Sequence, residues 1–116
     1  MREQLNQTDR VYSIHRTAQG VVCTVNGEPL ALRLDLRNHS PTGFEFGYGG
    51  SGPAQLALAI LADCCGDRVA LDCYQSFKWS VVAHIPPAGS TLTATQVRDV
   101  AEAIQGERRA AQYRNN

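Results

Sequence analysis

A glycine-rich segment is the strongest candidate for chemistry in this sequence. Residues 47–53 read Gly-Tyr-Gly-Gly-Ser-Gly-Pro and lead directly into an apolar stretch. Glycine lets the backbone adopt positive φ and approach a partner closely, and a helix N-terminus offers free N–H donors with a partial positive charge. The segment therefore predicts either a phosphate or nucleotide site or only a tight crossing from a strand into a closely packed helix. Its candidate binding residues are Tyr48, Gly49, Gly50, Ser51 and Gly52.

Better-known motifs match this segment poorly. Gly47, Gly49 and Gly52, with Asp72 further on, fit the G-x-G-x-x-G pattern of dinucleotide-binding folds. That pattern needs a parallel strand–helix–strand unit, whereas the strands predicted upstream form antiparallel hairpins. No Lys-Ser or Lys-Thr follows the glycines, which argues against a P-loop. The nucleophile elbow G-x-S-x-G is broken by a proline, so Ser51 is predicted to be a helix N-cap.

The cysteines and histidines lack the spacing of a metal site or of a nucleophile paired with a base. The cysteines are Cys23, Cys64, Cys65 and Cys73, and the histidines are His15, His39 and His84. None of the cysteines forms the C-x₂₋₄-C pairs of structural zinc. Adjacent Cys64 and Cys65 in an alanine- and leucine-rich helix are typical of small core residues in a reduced protein. We therefore predict free thiols, no metal, no cofactor and no enzymatic activity.

A second cluster joins aromatic rings to a cation. Residues 74–79 read Tyr-Gln-Ser-Phe-Lys-Trp, and Lys78 is the only lysine of the chain. Aromatic rings beside a cation can stack on or grip a ligand, which makes Lys78 a candidate binding residue. The favoured alternative is that Phe77 and Trp79 close the core while Lys78 points outward.

The first half of the chain is patterned as strands. Residues 11–14 and 21–25 are rich in β-branched residues, and Asn26-Gly27 then provides the strongest short hairpin signal. Leucines alternate with other residues over 30–36, which predicts a half-buried strand with a charged outer face. Phe44 and Phe46 flank a glutamate and predict a short fourth strand.

The second half is mainly helical. Pro53 suits the first turn of a helix, and Gly66 suits its end, so a buried apolar helix is predicted between them. Residues 67–77 fit either a helix or a strand, and a second helix is favoured. Residues 81–85 predict a further strand.

The last element is an amphipathic helix. Thr93 and Gln96 form a capping box at its start, and Gly106 marks its end. The predicted fold is thus α+β: one domain over residues 10–106, with an antiparallel sheet of four to five strands, the glycine-led helix and this C-terminal helix. Residues 1–9 are predicted to be a flexible N-terminus, and residues 107–116 a solvated tail.

Composition narrows the function class. The chain has 116 residues, 43% of them hydrophobic, which suits one folded domain. Eleven basic residues balance eleven acidic ones, which argues against bulk binding of nucleic acid. The longest apolar stretch, residues 56–62, is far shorter than the roughly 20 residues that span a bilayer. Since residues 1–9 also lack an apolar signal region, a cytoplasmic protein without membrane contact is expected.

The two motifs together carry a resemblance. The stretches GYGGSGPAQLA at residues 47–57 and YQSFK at 74–78 resemble a family of short bacterial and phage proteins catalogued only as a domain of unknown function. The resemblance covers roughly residues 10–105 and brings no assigned catalytic or binding residues. It implies a phage or mobile-element context, in which small domains often bind and block a host component.

Two functions remain open at this point. The favoured hypothesis is a non-enzymatic binding protein of phage or mobile-element type that inhibits a host defence complex by direct contact with a host protein. Its expected contact face combines Tyr48 with Arg33 and Arg37, because tyrosine and arginine are enriched among interface hot spots. The alternative is a binder of phosphate or a nucleotide at residues 49–52, which would sequester a signal molecule.

Overall fold

An antiparallel hairpin opens the fold. The computed structural model describes residues 10–114, and the expectation for residues 1–9 lies outside them. Strand β1 (Val11–Thr17) pairs with β2 (Gly20–Val25), and the Asn26-Gly27 turn leads to the short β3 (Glu28–Pro29). Both turn residues have positive φ, 49° and 87°, which is the geometry of a tight two-residue hairpin. The predicted hairpin is therefore confirmed.

The remaining strand lies far along the chain. Strand β4 (Ser90–Thr93) pairs antiparallel with β1, and the strand order within residues 10–114 is β3-β2-β1-β4. The sequence prediction placed a strand at residues 44–46 instead, and that was wrong. Phe44 and Phe46 alternate inward as expected, at 8% and 3% exposure, but the segment pairs with no strand among residues 10–114. Serine and threonine dominate β4, so it carries little hydrophobic signal.

The strand predicted over residues 30–36 is also wrong. Pairing stops at Pro29, and the backbone turns at Arg33, whose φ is 58°. Leu32 packs half-buried against the core, whereas Leu34 is exposed. Strict inward alternation therefore fails, because a strand would place both leucines on one face.

Gln55 holds residues 32–40 in place. Its side chain is fully buried. Its Oε1 accepts hydrogen bonds from the amides of His39 (2.8 Å) and Ser40 (3.0 Å), and its Nε2 donates to the carbonyls of Leu32 (2.6 Å) and Arg37 (3.0 Å). One amide side chain thus satisfies four backbone groups that a sheet partner would otherwise have satisfied.

Two helices form a tight pair behind the sheet. Helix α1 (Ser51–Cys65) is buried from Gly52 to Ala62, as its apolar composition predicts. Gly66, at φ 92°, separates it from α2 (Asp67–Ser80), and the two helices pack along each other. The second helix is thus confirmed, and α1 begins two residues before Pro53. The strand predicted over 81–85 is instead a short 3₁₀ helix, Val82–His84.

Helix α3 (Ala94–Arg114) packs against both α1 and α2. Its capping box is present: the Thr93 amide donates to Gln96 Oε1 at 2.9 Å, and the Gln96 amide donates to Thr93 Oγ1 at 3.1 Å. The helix continues through Gly106, where the sequence prediction ended it. Residues 107–113 are exposed, as expected of a tail, but helical. The α+β class with an antiparallel sheet and a C-terminal helix is confirmed.

Candidate functional site

The two motifs singled out by the sequence meet in the structure. The glycine segment leads into the N-terminus of α1, and the Tyr74–Trp79 cluster forms the end of α2. Because α1 and α2 form a helical pair, these two ends are neighbours. The backbone of Gly49 lies against the benzo ring of Trp79, so closely that a Cβ on Gly49 would overlap the ring. The contact joins residues that belong to different motifs.

Close approach of neighbouring groups to the backbone explains three of the four glycines in residues 47–52. A Cβ on Gly50 would lie 2.6 Å from the Tyr48 ring, and a Cβ on Gly52 would lie 2.6 Å from the Cβ of Glu45. Positive φ is found at Gly47 (φ 90°), and not at Gly49, Gly50 or Gly52. Of the two reasons that the sequence offers for these three glycines, positive φ is therefore absent and close approach at the helix entry is present.

The start of α1 has no side-chain cap. Gly50 occupies the N-cap position, and Ser51, predicted to be the cap, is the exposed first residue of the helix. No acidic residue lies in the first turn, and Pro53 has no N–H to satisfy. The amide of Ser51 therefore lies at the positive end of a long buried helix, and no side chain of residues 10–114 is bonded to it.

Lys78 and Trp79 occupy the reverse of the predicted positions. Lys78 is only 7% exposed and Trp79 is 57% exposed, so the interpretation of Trp79 as core and Lys78 as solvent-facing is wrong. Lys78 follows buried Tyr74 by one helical turn, whereas Trp79 lies off that face. Lys78 Nζ lies 4.5 Å from the centroid of the Trp79 ring. The helical period alone would have identified Trp79 as a surface residue.

Tyr48 and Trp79 form one exposed aromatic surface. Tyr48 is 52% exposed, and its ring covers the backbone of Gly50, next to the Gly49 backbone that supports Trp79. We call Tyr48, Gly49, Gly50 and Trp79 the aromatic surface. Sequence analysis identified all of it except Trp79.

The two candidate arginines take no part in the aromatic surface. Arg33 pairs with Asp35 and with Asp67, each at 3.0 Å, and these hydrogen bonds raise the pKa of its guanidinium. Asp67 begins α2, so at 1.5 Å per residue Arg33 binds about 18 Å along the helix from Trp79. Arg37 is exposed and donates to the Leu36 carbonyl at 2.8 Å. The fold therefore does not place Arg33 on the same face as Tyr48, as the sequence predicted.

A separate cleft of about 310 Å³ contains two cysteines. All four cysteines are free; Cys23 and Cys73 are buried, as expected for core residues, but Cys64 and Cys65 are half-buried and line the cleft. Arg98 Nη1 lies 3.9 Å from Cys64 Sγ. Hydrogen bonding with the Cys65 thiol, with a smaller contribution from Arg98, lowers the pKa of Cys64 to about 7. Sequence analysis missed this cleft because Arg98 lies on α3, far along the chain from Cys64 and Cys65, and only the fold brings them together.

A partly buried polar contact links the loop before the glycines to α2. His39 Nε2 lies 2.7 Å from the Tyr74 hydroxyl, and the His39 amide donates to Gln55. His15 and His84 lie on other elements.

Over residues 10–114, no three His, Cys, Asp or Glu side chains are placed to hold a metal ion. In the same residues no helix is long and apolar enough to cross a bilayer.

The fold and the site define a small α+β domain whose most distinctive surface is a pair of exposed aromatic rings on a glycine loop. The chain belongs to the DUF6166 family, a family of unknown function, whose model matches residues 12–103. This range contains both motifs and agrees with the resemblance read from them. No curated protein and no solved structure matches the chain.

Proposed function

We propose that this protein is a non-enzymatic binding protein that contacts a partner protein through the aromatic surface. The observation that carries the proposal is the exposure of two large rings at one place, Tyr48 in the glycine loop and Trp79 at the end of α2, whose ring packs against that loop. Tyrosine and tryptophan dominate the hot spots of protein interfaces. An exposed ring that is already packed on one side loses little conformational freedom when a partner covers its other side.

The chemistry of the surface favours a protein partner. The formal net charge is zero, so no general attraction to a phosphate backbone acts on the chain. The face instead offers apolar ring area with a phenol hydroxyl and an indole N–H at its edges, which suits a protein epitope with apolar and polar groups side by side.

The narrower proposal is that the partner belongs to a host defence complex and that the protein is encoded by a phage or mobile element. It rests on the family resemblance described above, and it predicts inhibition by stoichiometric contact. A cytoplasmic location follows from the same proposal. Phosphate or nucleotide binding at the same loop is the second candidate function, favoured by the N-terminus of α1, which has no side-chain cap.

Surface variants test the contact. The tagged protein is used to capture a partner from bacterial lysate, and the partner is then purified for titration calorimetry. Tyr48→Ala and Trp79→Ala should each weaken binding at least tenfold, since hot-spot truncations cost about 2 kcal/mol or more. Tyr113→Ala is the matched control, because Tyr113 is an 84% exposed aromatic residue on α3. Equal weakening by Tyr113→Ala, or none by the two surface variants, would overturn the proposal.

Phage plating tests the narrower proposal. Bacteria that carry a defence system are challenged with phage, with and without expression of this chain. The chain should raise plating efficiency, the Trp79→Ala variant should not, and inhibition of the purified complex should be complete at one equivalent. Consumption of a substrate by the chain, or unchanged plating across defence systems, would contradict it.

A further inference from the structure

The cleft that contains Cys64 and Cys65 lies where the three helices meet. The two cysteines are the last residues of α1, and Val69 lies in the first turn of α2. The opposite wall consists of side chains of α3 that recur at helical spacing, namely Arg98, Ala101, Glu102 and Gln105. The volume of about 310 Å³ is at the lower end of the range of about 300–1,000 Å³ that is typical of small-molecule sites. The cleft can therefore admit a small molecule to the cysteines.

Cys64 is the nucleophile of the cysteine pair. The Cys65 thiol hydrogen-bonds with Cys64 Sγ, and Arg98 Nη1 lies 3.9 Å from the same atom. Both groups stabilise the thiolate, so the pKa of Cys64 falls to about 7, although partial burial acts in the opposite direction. The same hydrogen bond raises the pKa of Cys65. The carboxylate of Asp63 also disfavours the Cys64 thiolate, but Arg10 pairs with that carboxylate at 2.6 Å.

The wall opposite the cysteines offers one charge of each sign. Arg98 and Glu102 lie one helical turn apart on α3, and both line the cleft. Among the side chains of residues 10–113, neither of them takes part in an ion pair. A compound of amino-acid type carries the complementary carboxylate and ammonium groups. A small thiol of this type therefore matches both the nucleophilic sulfur and the charges beside it.

We propose that Cys64 forms a reversible mixed disulfide with a small thiol of amino-acid or peptide type. Cys64 Sγ attacks one sulfur of the corresponding low-molecular-weight disulfide and forms a new S–S bond with it. The S–S bond of the reagent breaks, and its other half leaves as a thiolate that takes a proton from water. The Cys64 sulfur is oxidised and the leaving sulfur is reduced, so the small disulfide is the oxidant. Arg98 binds the carboxylate of the attached half, and Glu102 binds its ammonium group.

Cys65 does not release this adduct. Consecutive Cα atoms are about 3.8 Å apart, whereas the Cα atoms of disulfide-bonded cysteines are usually about 4.4–6.8 Å apart. Both cysteines belong to the last turn of α1, so a bond between them would distort the helix. The mixed disulfide should therefore persist until an external thiol reduces it. The site does not depend on the partner protein proposed above, so the two proposals can fail separately.

Mass spectrometry of the reduced wild-type protein tests the site. The folded protein is treated with glutathione disulfide, a peptide disulfide with carboxylate and ammonium groups, and separately with the uncharged 2-hydroxyethyl disulfide. The reaction is stopped in acid, and peptide fragment spectra locate the adduct. We expect one glutathionyl group per chain, on Cys64, and no loss of it after the reagent is removed. An adduct spread over several cysteines, or its conversion into an internal disulfide, would overturn the proposal.

Arg98→Gln separates recognition of the reagent from activation of the thiol. The variant loses a group that stabilises the thiolate, which slows both reagents, and it loses the partner of the carboxylate, which slows only glutathione disulfide. We expect the rate with glutathione disulfide to fall by about threefold more than the rate with the uncharged reagent. Arg109→Gln is the matched control, because Arg109 is an exposed charge on α3 outside the cleft, and it should leave both rates unchanged. Equal slowing of the two reagents in Arg98→Gln would overturn the recognition of an amino-acid-type thiol.

Discussion

The Gly49 backbone lies against the benzo ring of Trp79, with no room for a Cβ between them. This contact ties the entry of α1 to the last turn of α2. It also explains how a 57% exposed indole can be held in one position, since the partly buried backbone that leads into α1 supports it.

Gly49→Ala should destabilise the protein by about 1–3 kcal/mol, because the new methyl group must displace the Trp79 ring or the loop. Urea unfolding followed by circular dichroism measures the free energy of unfolding. In a Trp79→Ala background the cost should largely disappear, which a double-mutant cycle detects. Gly106→Ala, in α3 with nothing close to its Cβ, should instead stabilise by about 0.5–1 kcal/mol. Additive effects at positions 49 and 79 would contradict the contact.

Gln55→Leu should cost about 3 kcal/mol or more, because each buried polar group left unpaired costs about 1–3 kcal/mol. The two amides and two carbonyls that Gln55 satisfies would lose their partner. Gln75→Leu is the matched control, since Gln75 is exposed on α2, and should change stability by less than about 0.5 kcal/mol. Chemical denaturation compares the two, and equal effects would argue against the network.

Leu32→Asp should destabilise the protein strongly, whereas Leu34→Asp should be tolerated. Leu32 packs against the core and Leu34 is exposed, although strict alternation would place both on one face. An unpaired carboxylate at this half-buried position against the core should cost about 2 kcal/mol or more, while a surface change lies within about 0.5 kcal/mol. Thermal melting of both variants is the measurement. Equal loss of stability would restore the strand that the sequence predicts.

Cys64 should be the fastest of the four cysteines to react with iodoacetamide. Its pKa is lowered to about 7, whereas burial raises the pKa of Cys23 to about 12, and the thiolate is the nucleophile. The rate at Cys64 should therefore rise with a midpoint near pH 7, and Cys65→Ala should move that midpoint upward. Mass spectrometry of peptides across the pH range provides the rates. A midpoint at the usual thiol value would refute the assignment.

The same lowered pKa predicts how stability changes with pH. An unfolded thiol binds its proton more tightly than folded Cys64 does, so the unfolded state carries more protons between the two pKa values. The contribution of Cys64 to folding stability should thus grow as pH rises from about 7 to 9 and be lost as pH falls through 7. Comparing the wild type with Cys64→Ala in urea at several pH values isolates this contribution.

Several elements were predictable because their causes are local. The Asn26-Gly27 turn follows from the tolerance of both residues for positive φ, and the capping box from Thr93 and Gln96 lying three residues apart. The buried α1 follows from its composition. The glycine segment and the aromatic cluster were both identified as candidate sites, and each is visible as a short run of residues.

Other features are set by contacts between distant parts of the chain. β4 exists as a strand because β1 offers it a free edge, and the chain that follows β3 is bonded outside the sheet by Gln55, at the carbonyls of Leu32 and Arg37. Periodicity in one segment carries no information about such partners.

By itself, the sequence determined the α+β class, the main hairpin, the helix order and the two motifs. Only the tertiary structure decided that the motifs touch through Gly49 and Trp79, that Arg33 lies at the far end of α2, and that Lys78 points inward while Trp79 points out. The physical reason is that local propensity depends on neighbouring residues, whereas the burial of a charge or the exposure of a ring depends on which surfaces the whole chain brings together.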